Sequence, residues 1–129
     1  MTKGLSFERQ FCKWIAENKK MWVLRIPKNE SGSQPFDIIA VGKDGQVLMI
    51  DCKECGNAKF PLSRIEENQW TSFGKAEKLT DAKIGIVCYY WKCCKMFFIS
   101  YDILLKYKEE MKASIDITME GIDVESGDF

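Results

Sequence analysis

Two acids placed inside apolar runs constrain this chain more than any other feature. In residues 32–55, GSQPFDIIAVGKDGQVLMIDCKEC, two strand-like stretches flank a tight turn, and each carries one aspartate, Asp37 or Asp51. Asp44-Gly45 is a strong hairpin signal, and Gly45 suits the left-handed position of a three-residue loop with a bulge. With Lys43-Asp44-Gly45 as that loop, Gly42 pairs with Gln46, Val41 with Val47, Ile39 with Met49, and Asp37 with Asp51. Directly opposed side chains sit about 4.5–5.5 Å apart at Cβ, where like charges destabilise a sheet. A divalent cation between them reverses the sign of that interaction.

Loop length decides the geometry. A two-residue loop would pair Asp37 with Cys52 and send the two acids to opposite faces. The plain alternative is an edge hairpin with solvated charges. Against it, both faces are apolar: Ile39, Val41, Val47 and Met49 on one, Phe36, Ile38, Leu48 and Ile50 on the other. That pattern predicts a central strand pair covered on both sides. Lys53 follows Asp51 by two residues and so shares its face.

At 129 residues, with 46% hydrophobic side chains, the chain is long and apolar enough for one globular core. No apolar run reaches the length of a membrane span and no secretory signal opens the sequence, which sets the expectation of a cytoplasmic protein without a membrane partner. The net charge of zero hides an asymmetry. Residues 1–108 hold 18 basic and 12 acidic side chains, whereas residues 109–129 hold one lysine and seven acids. We therefore expect a basic body, residues 1–112, and an acidic tail, residues 113–129. The six cysteines include Cys52-x-x-Cys55 and Cys93-Cys94, but the spacings are not those of a zinc ribbon, and free reduced thiols are expected. With no histidine in the chain, metal chemistry must rest on oxygen ligands, which favour Mg²⁺ or Mn²⁺.

The remaining elements follow in order. Residues 5–19 read as an amphipathic helix with Ser6 as cap and a stripe of Phe7, Phe11, Trp14 and Ile15. Glu8 shares a face with Phe11, Cys12 and Ile15, either as a first-turn acid favoured by the helix dipole or as an acid aimed at a site. Residues 21–28 read as a strand, 29–34 as a polar loop, and 56–62 as a loop after the hairpin. A capping box at Ser63-Arg64-Ile65-Glu66 opens a second helix, and Gln69 falls on its apolar face, where it must find a partner. Residues 83–91 and 95–101 form two antiparallel strands, and Asp102 caps a short helix to about residue 112. The tail alternates weakly, as a short edge strand followed by a flexible end. The first three strands suit a meander, and the helix between the third and fourth suits a crossover to a parallel neighbour. The expected fold is α/β, a mixed sheet with helices on both faces.

Two carboxylates plus a nearby lysine suit metal-assisted phosphodiester hydrolysis. Asp37, Asp51 and the backbone carbonyl of Cys52 would hold the ion, and Lys53 would orient water or stabilise developing charge.

Pro35-Phe36-Asp37 followed by Asp51-Cys52-Lys53 across a hairpin resembles the PD-(D/E)xK nuclease signature. Within that superfamily the pattern is most similar to Holliday junction resolvases of the RecU type and their archaeal and phage relatives. The likeness includes Glu8, the run Asp51 to Cys55, and Phe60-Pro61-Leu62-Ser63-Arg64-Ile65 through Gln69. It implies a restriction-endonuclease-like αβββαβ core. It also implies catalytic roles for Glu8, Asp37, Asp51, Lys53 and Gln69, with Glu8 helping to bind metal directly or through water. It further implies a homodimer that nicks four-way DNA junctions in a bacterial, archaeal or phage-infected cell. The chain departs from RecU proteins in Asp51, where Glu is more usual, in its Asn68-Gln69, in its length and in its tight hairpin loop, which offers no junction-inserting projection. Nicking or restriction of other DNA, or branched-DNA binding without cutting, are the alternatives. DNA contacts are assigned to Arg9, Lys13, Arg25, Lys28, Lys59 and Arg64, with Lys3, Lys19, Lys20 and Lys75 as further candidates.

Overall fold

The structure, a computed structural model, describes residues 5–27 and 34–129, without the side chains of residues 5 and 6. Lys3, Lys28 and the Ser6 cap therefore lie outside the described residues. Helix α1 (Leu5–Asn18) precedes strands β1 (Trp22–Arg25), β2 (Ile38–Val41) and β3 (Val47–Cys55). Then come β4 (Lys59–Pro61), a 3-10 turn (Leu62–Arg64), α2 (Glu67–Leu79), β5 (Lys83–Tyr90) and β6 (Lys95–Ser100). The chain closes with α3 (Tyr101–Glu109), β7 (Ser114–Asp116), α4 (Ile117–Glu120) and β8 (Ile122–Asp123).

The main sheet runs β1-β2-β3-β5-β6-β8. Its first three strands form an antiparallel meander, β3 and β5 are parallel across the α2 crossover, and β5–β6 return antiparallel. This is the expected mixed α/β sheet. The hairpin register is also as expected, with Ile39 opposite Met49 and Val41 opposite Val47. Gly45 takes φ of 83°, and the Gly42 amide donates to the Gln46 carbonyl at 2.8 Å.

Helices cover both faces because two sets of alternating strand residues need cover. On one face, Phe7, Phe11 and Ile15 of α1 pack on Ile38, Ala40, Leu48, Ile50 and Val87. On the other, Trp70, Phe73 and Ala76 of α2 pack on Ile84, Ile86 and Cys88. Each fully buried Phe, Ile, Leu or Val among them contributes about 1.5–3 kcal/mol of transfer free energy. The second face is open over β1 and β2, where Trp22, Leu24 and Val41 are exposed, so the hairpin is covered on one side and only partly on the other.

Four local expectations are corrected. Residues 59–61 form β4 rather than loop, because they pair with β7 far along the chain. The second helix starts later, and its capping box is Glu66 with Gln69, not Ser63 with Glu66. Helix α3 is capped by the Ser100 hydroxyl, which accepts from the Ile103 amide, rather than by Asp102. The end of the chain is packed rather than flexible: Ile115 and Ile117 join the α2-side core, and Val124 and Phe129 join the α1-side core.

Candidate active site

The site forms where the β2–β3 ladder breaks. The Asp37 amide donates to the Ile50 carbonyl at 2.9 Å, although Ile50 is the ladder partner of Ile38. Two residues of one strand thus meet one residue of the next, the arrangement of a β-bulge, which re-aims side chains. Phe36 registers the shift: it stacks on Phe73 in the α2-side core, not beside Ile38 as strict alternation requires. Asp37 Oδ2 accepts from the Cys52 amide at 2.7 Å. The Asp37 and Asp51 carboxyl groups lie within hydrogen-bonding reach of each other, and both residues are only 4% exposed.

Burial, opposed by Lys53 and reinforced by the Asp37 charge, pushes Asp51 up from an ordinary value near 4 to about 7. Lys53 Nζ sits 3.1 Å from Asp51 Oδ2, yet among the described residues no hydrogen bond of good geometry reaches that buried oxygen. We read the contact as ionic. The same ammonium donates to the Arg64 carbonyl at 3.1 Å and to Gln69 Oε1 at 3.4 Å. Gln69 Oε1 also accepts from the Glu66 amide at 3.0 Å. One side chain therefore caps α2 and braces Lys53, which answers the demand that a glutamine on an apolar helix face find partners.

Glu8 is buried on α1, with Oε2 3.2 Å from the Arg25 guanidinium. Glu8 stands outside the aspartate pair: among the described residues no three acidic, cysteine or histidine side chains converge closely enough to hold an ion. The Cys52 backbone offers a further oxygen. In an extended strand the N–H and C=O of one residue face the same edge, so the Cys52 carbonyl faces the gap that its amide spans to Asp37. The Cys52 thiol stays neutral, pushed well up by burial and by the charges of Asp37, Glu8 and Asp51. Two neighbouring buried carboxyl groups, one with an oxygen short of partners, beside a backbone carbonyl make an all-oxygen set that fits a hard divalent cation.

Sequence reasoning missed Gln34. It stands in a polar loop, where glutamine looks like solvent cover, but it is buried, and its Nε2 donates to Asp37 Oδ1 at 3.4 Å. Of the basic candidates, Arg9, Lys13 and Lys59 are exposed. Arg25 faces Glu8 instead of open solvent. Arg64 donates to the Glu54 carbonyl at 2.7 Å and lies over the Phe60 ring, so its guanidinium is largely committed to the fold.

Comparison with known proteins adds the decisive observation. The family description "Archaeal holliday junction resolvase (hjc)" matches residues 1–127. The chain belongs to the Hjc family. A curated relative, the crossover junction endodeoxyribonuclease Hjc of Methanocaldococcus jannaschii, is 34% identical over 73 residues, covering 57% of this chain and 50% of the relative. The chain thus matches about half the length of that Hjc protein. The structure of Archaeoglobus fulgidus Hjc, described as a Holliday junction resolvase from an archaeal hyperthermophile, superposes with a TM-score of 0.65 at 20% identity. That match covers 94% of this chain and 96% of the A. fulgidus chain, and it establishes the Hjc fold here. The resemblance read from Pro35–Asp37 and Asp51–Lys53 therefore holds at the level of the family.

Proposed function

We propose that this Hjc-family chain is a metal-dependent endonuclease that resolves four-way DNA junctions by paired nicks as a homodimer. The observation that carries the reading is the contact between buried Asp37 and Asp51 beside Lys53. Two carboxyl groups cannot share such a space as free anions without large cost, and a divalent cation turns the cost into binding energy. Asp37, Asp51 and the Cys52 carbonyl would hold Mg²⁺ or Mn²⁺. When bound, the ion supplies Lewis-acid polarisation of the phosphate and a more acidic attacking water.

The chain's own residues do the rest. The Cys52 amide fixes the Asp37 carboxylate. Lys53, steered by Gln69 and the Arg64 carbonyl, presents its ammonium to the charge that develops on the phosphate. Glu8, tied to Arg25, acts on the site through water. The exposed Arg9, Lys13 and Lys59 grip phosphates, which orients the duplex arms without reading sequence. A homodimer accounts for two symmetric nicks. Support for it comes from Trp22, Leu24 and Val41, exposed by 65%, 42% and 40% on the sheet face left open by α2. A cytoplasmic location belongs to the same reading; among the described residues no helix is long and apolar enough to cross a membrane.

The junction as substrate is carried over from the names of the M. jannaschii and A. fulgidus proteins. Cutting of other DNA is the second reading, favoured by the three-residue β2–β3 turn, which offers no projection to enter a junction. The test compares a labelled four-way junction with linear duplex, each in Mg²⁺ or chelator, using wild type and D37N. Symmetric junction nicks that need Mg²⁺ and vanish in the variant support the first reading. Equal duplex cutting supports the second. Binding without cutting overturns both.

A further inference from the structure

We infer that Gln34 is a positioning residue of the metal site, holding Asp37 in its binding orientation and offering one carbonyl oxygen to a water of the ion's shell. The inference rests on the metal-binding reading of Asp37 and Asp51.

Gln34 is 8% exposed. Its Nε2 donates to the Ile26 carbonyl at 3.1 Å and to Asp37 Oδ1 at 3.4 Å. Both partners are acceptors, so the amide orientation is fixed by the network: a flip would set Oε1 against two oxygens. Asp37 is thereby held on both carboxylate oxygens, by Gln34 on Oδ1 and by the Cys52 amide on Oδ2.

A second tie runs through the backbone. The Gln34 carbonyl accepts from Gln69 Nε2 at 3.5 Å, while Gln69 Oε1 contacts Lys53 and Lys53 contacts Asp51. Gln34 closes this path, from Asp51 through Lys53 and Gln69 back to Asp37. The contacts made by the two glutamine amides across it are long, and polar contacts of this kind tighten when a site is filled.

The remaining atom is Gln34 Oε1. It is buried and, among the described residues, has no hydrogen-bond partner. A buried acceptor without a donor is costly. Water on a divalent cation is a strong donor of the right size, and outer partners of this kind orient the inner ligands.

The test measures Mn²⁺ binding by calorimetry and by the spin-resonance signal of the bound ion, in wild type, Q34M and Q34N, each first checked for folding by circular dichroism. Methionine keeps volume and removes both bonds. Asparagine keeps the amide but falls one methylene short, and serves if Q34M does not fold. The expected result is a Mn²⁺ affinity roughly 10–100-fold weaker in either variant, an altered spin-resonance spectrum, and four-way-junction binding in chelator unchanged. Folded variants that bind Mn²⁺ as wild type does, with the same spectrum, overturn the role of Gln34 alone. Wild type that binds no Mn²⁺ at Asp37 and Asp51 overturns the metal reading beneath it.

Discussion

Asp51 Oδ2 lies 3.1 Å from the Lys53 ammonium, yet the Asp51 carboxyl is held at about 7 instead of near 4. The lysine opposes the shift, but burial and the neighbouring Asp37 charge exceed it. A site that keeps one of its two acids reluctant to ionise is poised to exchange a proton for a cation.

The raised Asp51 value makes stability depend on pH. The native-state value is above the unfolded one, so between about pH 4 and pH 7 the folded protein holds a proton that the unfolded chain has lost. The contribution of Asp51 to stability is full below that window and is lost as pH rises through it. D51N lacks this titration. In chelator, the stability of D51N relative to wild type should rise by on the order of 1–3 kcal/mol between pH 5 and pH 8, read from urea unfolding. A difference that does not change with pH would contradict the raised value.

Lys53 serves the reaction rather than the ion. In K53M the ammonium that competes with a cation for Asp51 is gone. Mn²⁺ affinity should therefore hold or tighten, while the single-turnover cutting rate falls roughly 100-fold or more. Loss of Mn²⁺ binding in K53M would instead make the lysine a structural support.

Glu8 should act at a distance from the reacting atoms. It is engaged by Arg25 at 3.2 Å, and among the described residues it does not complete a three-ligand cluster. E8Q is expected to lower cutting roughly 10–100-fold with Mn²⁺ still bound, whereas D37N removes both. Parallel calorimetry and nicking assays on the two variants distinguish these roles.

Phe129 should matter for stability alone. It is 5% exposed, packs on Phe98, Phe11 and Trp14, and carries the Lys19 and Lys83 ammonium groups over its ring. F129A should cost roughly 3–5 kcal/mol in denaturant unfolding and leave Mn²⁺ affinity unchanged. A variant as stable as wild type would mean that the C-terminal residues are held by β7, α4 and β8 alone.

What the sequence made legible is what local rules govern. The Asp44-Gly45 turn and period-two alternation set the β2–β3 register as far as Ile38 opposite Ile50; the expected direct pairing of Asp37 with Asp51 gives way to the bulge, which turns the two acids together instead. Gln69 stood out because a glutamine broke an apolar helix stripe. The bulge at Asp37 did not, since an extra residue leaves no compositional trace, and Phe36 went to the wrong face as a result. Strand β4 was hidden because Lys59, Phe60 and Pro61 become a strand only by pairing with Asp116, Ile115 and Ser114. The acidic C-terminal segment read as flexible because its few apolar residues are spaced apart, and only the tertiary fold gathers Ile115, Ile117, Val124 and Phe129 into the cores. Gln34 was invisible for a similar reason: a buried amide and a solvated one look the same in a polar loop.

The central claim is that Asp37 and Asp51 hold one divalent cation. Anomalous diffraction from crystals soaked in Mn²⁺ tests it directly. The expected result is a single strong peak between the two carboxylates, within reach of the Cys52 carbonyl, that disappears in D37N. No peak there at saturating Mn²⁺, or a peak on other residues that survives in D37N, would contradict it.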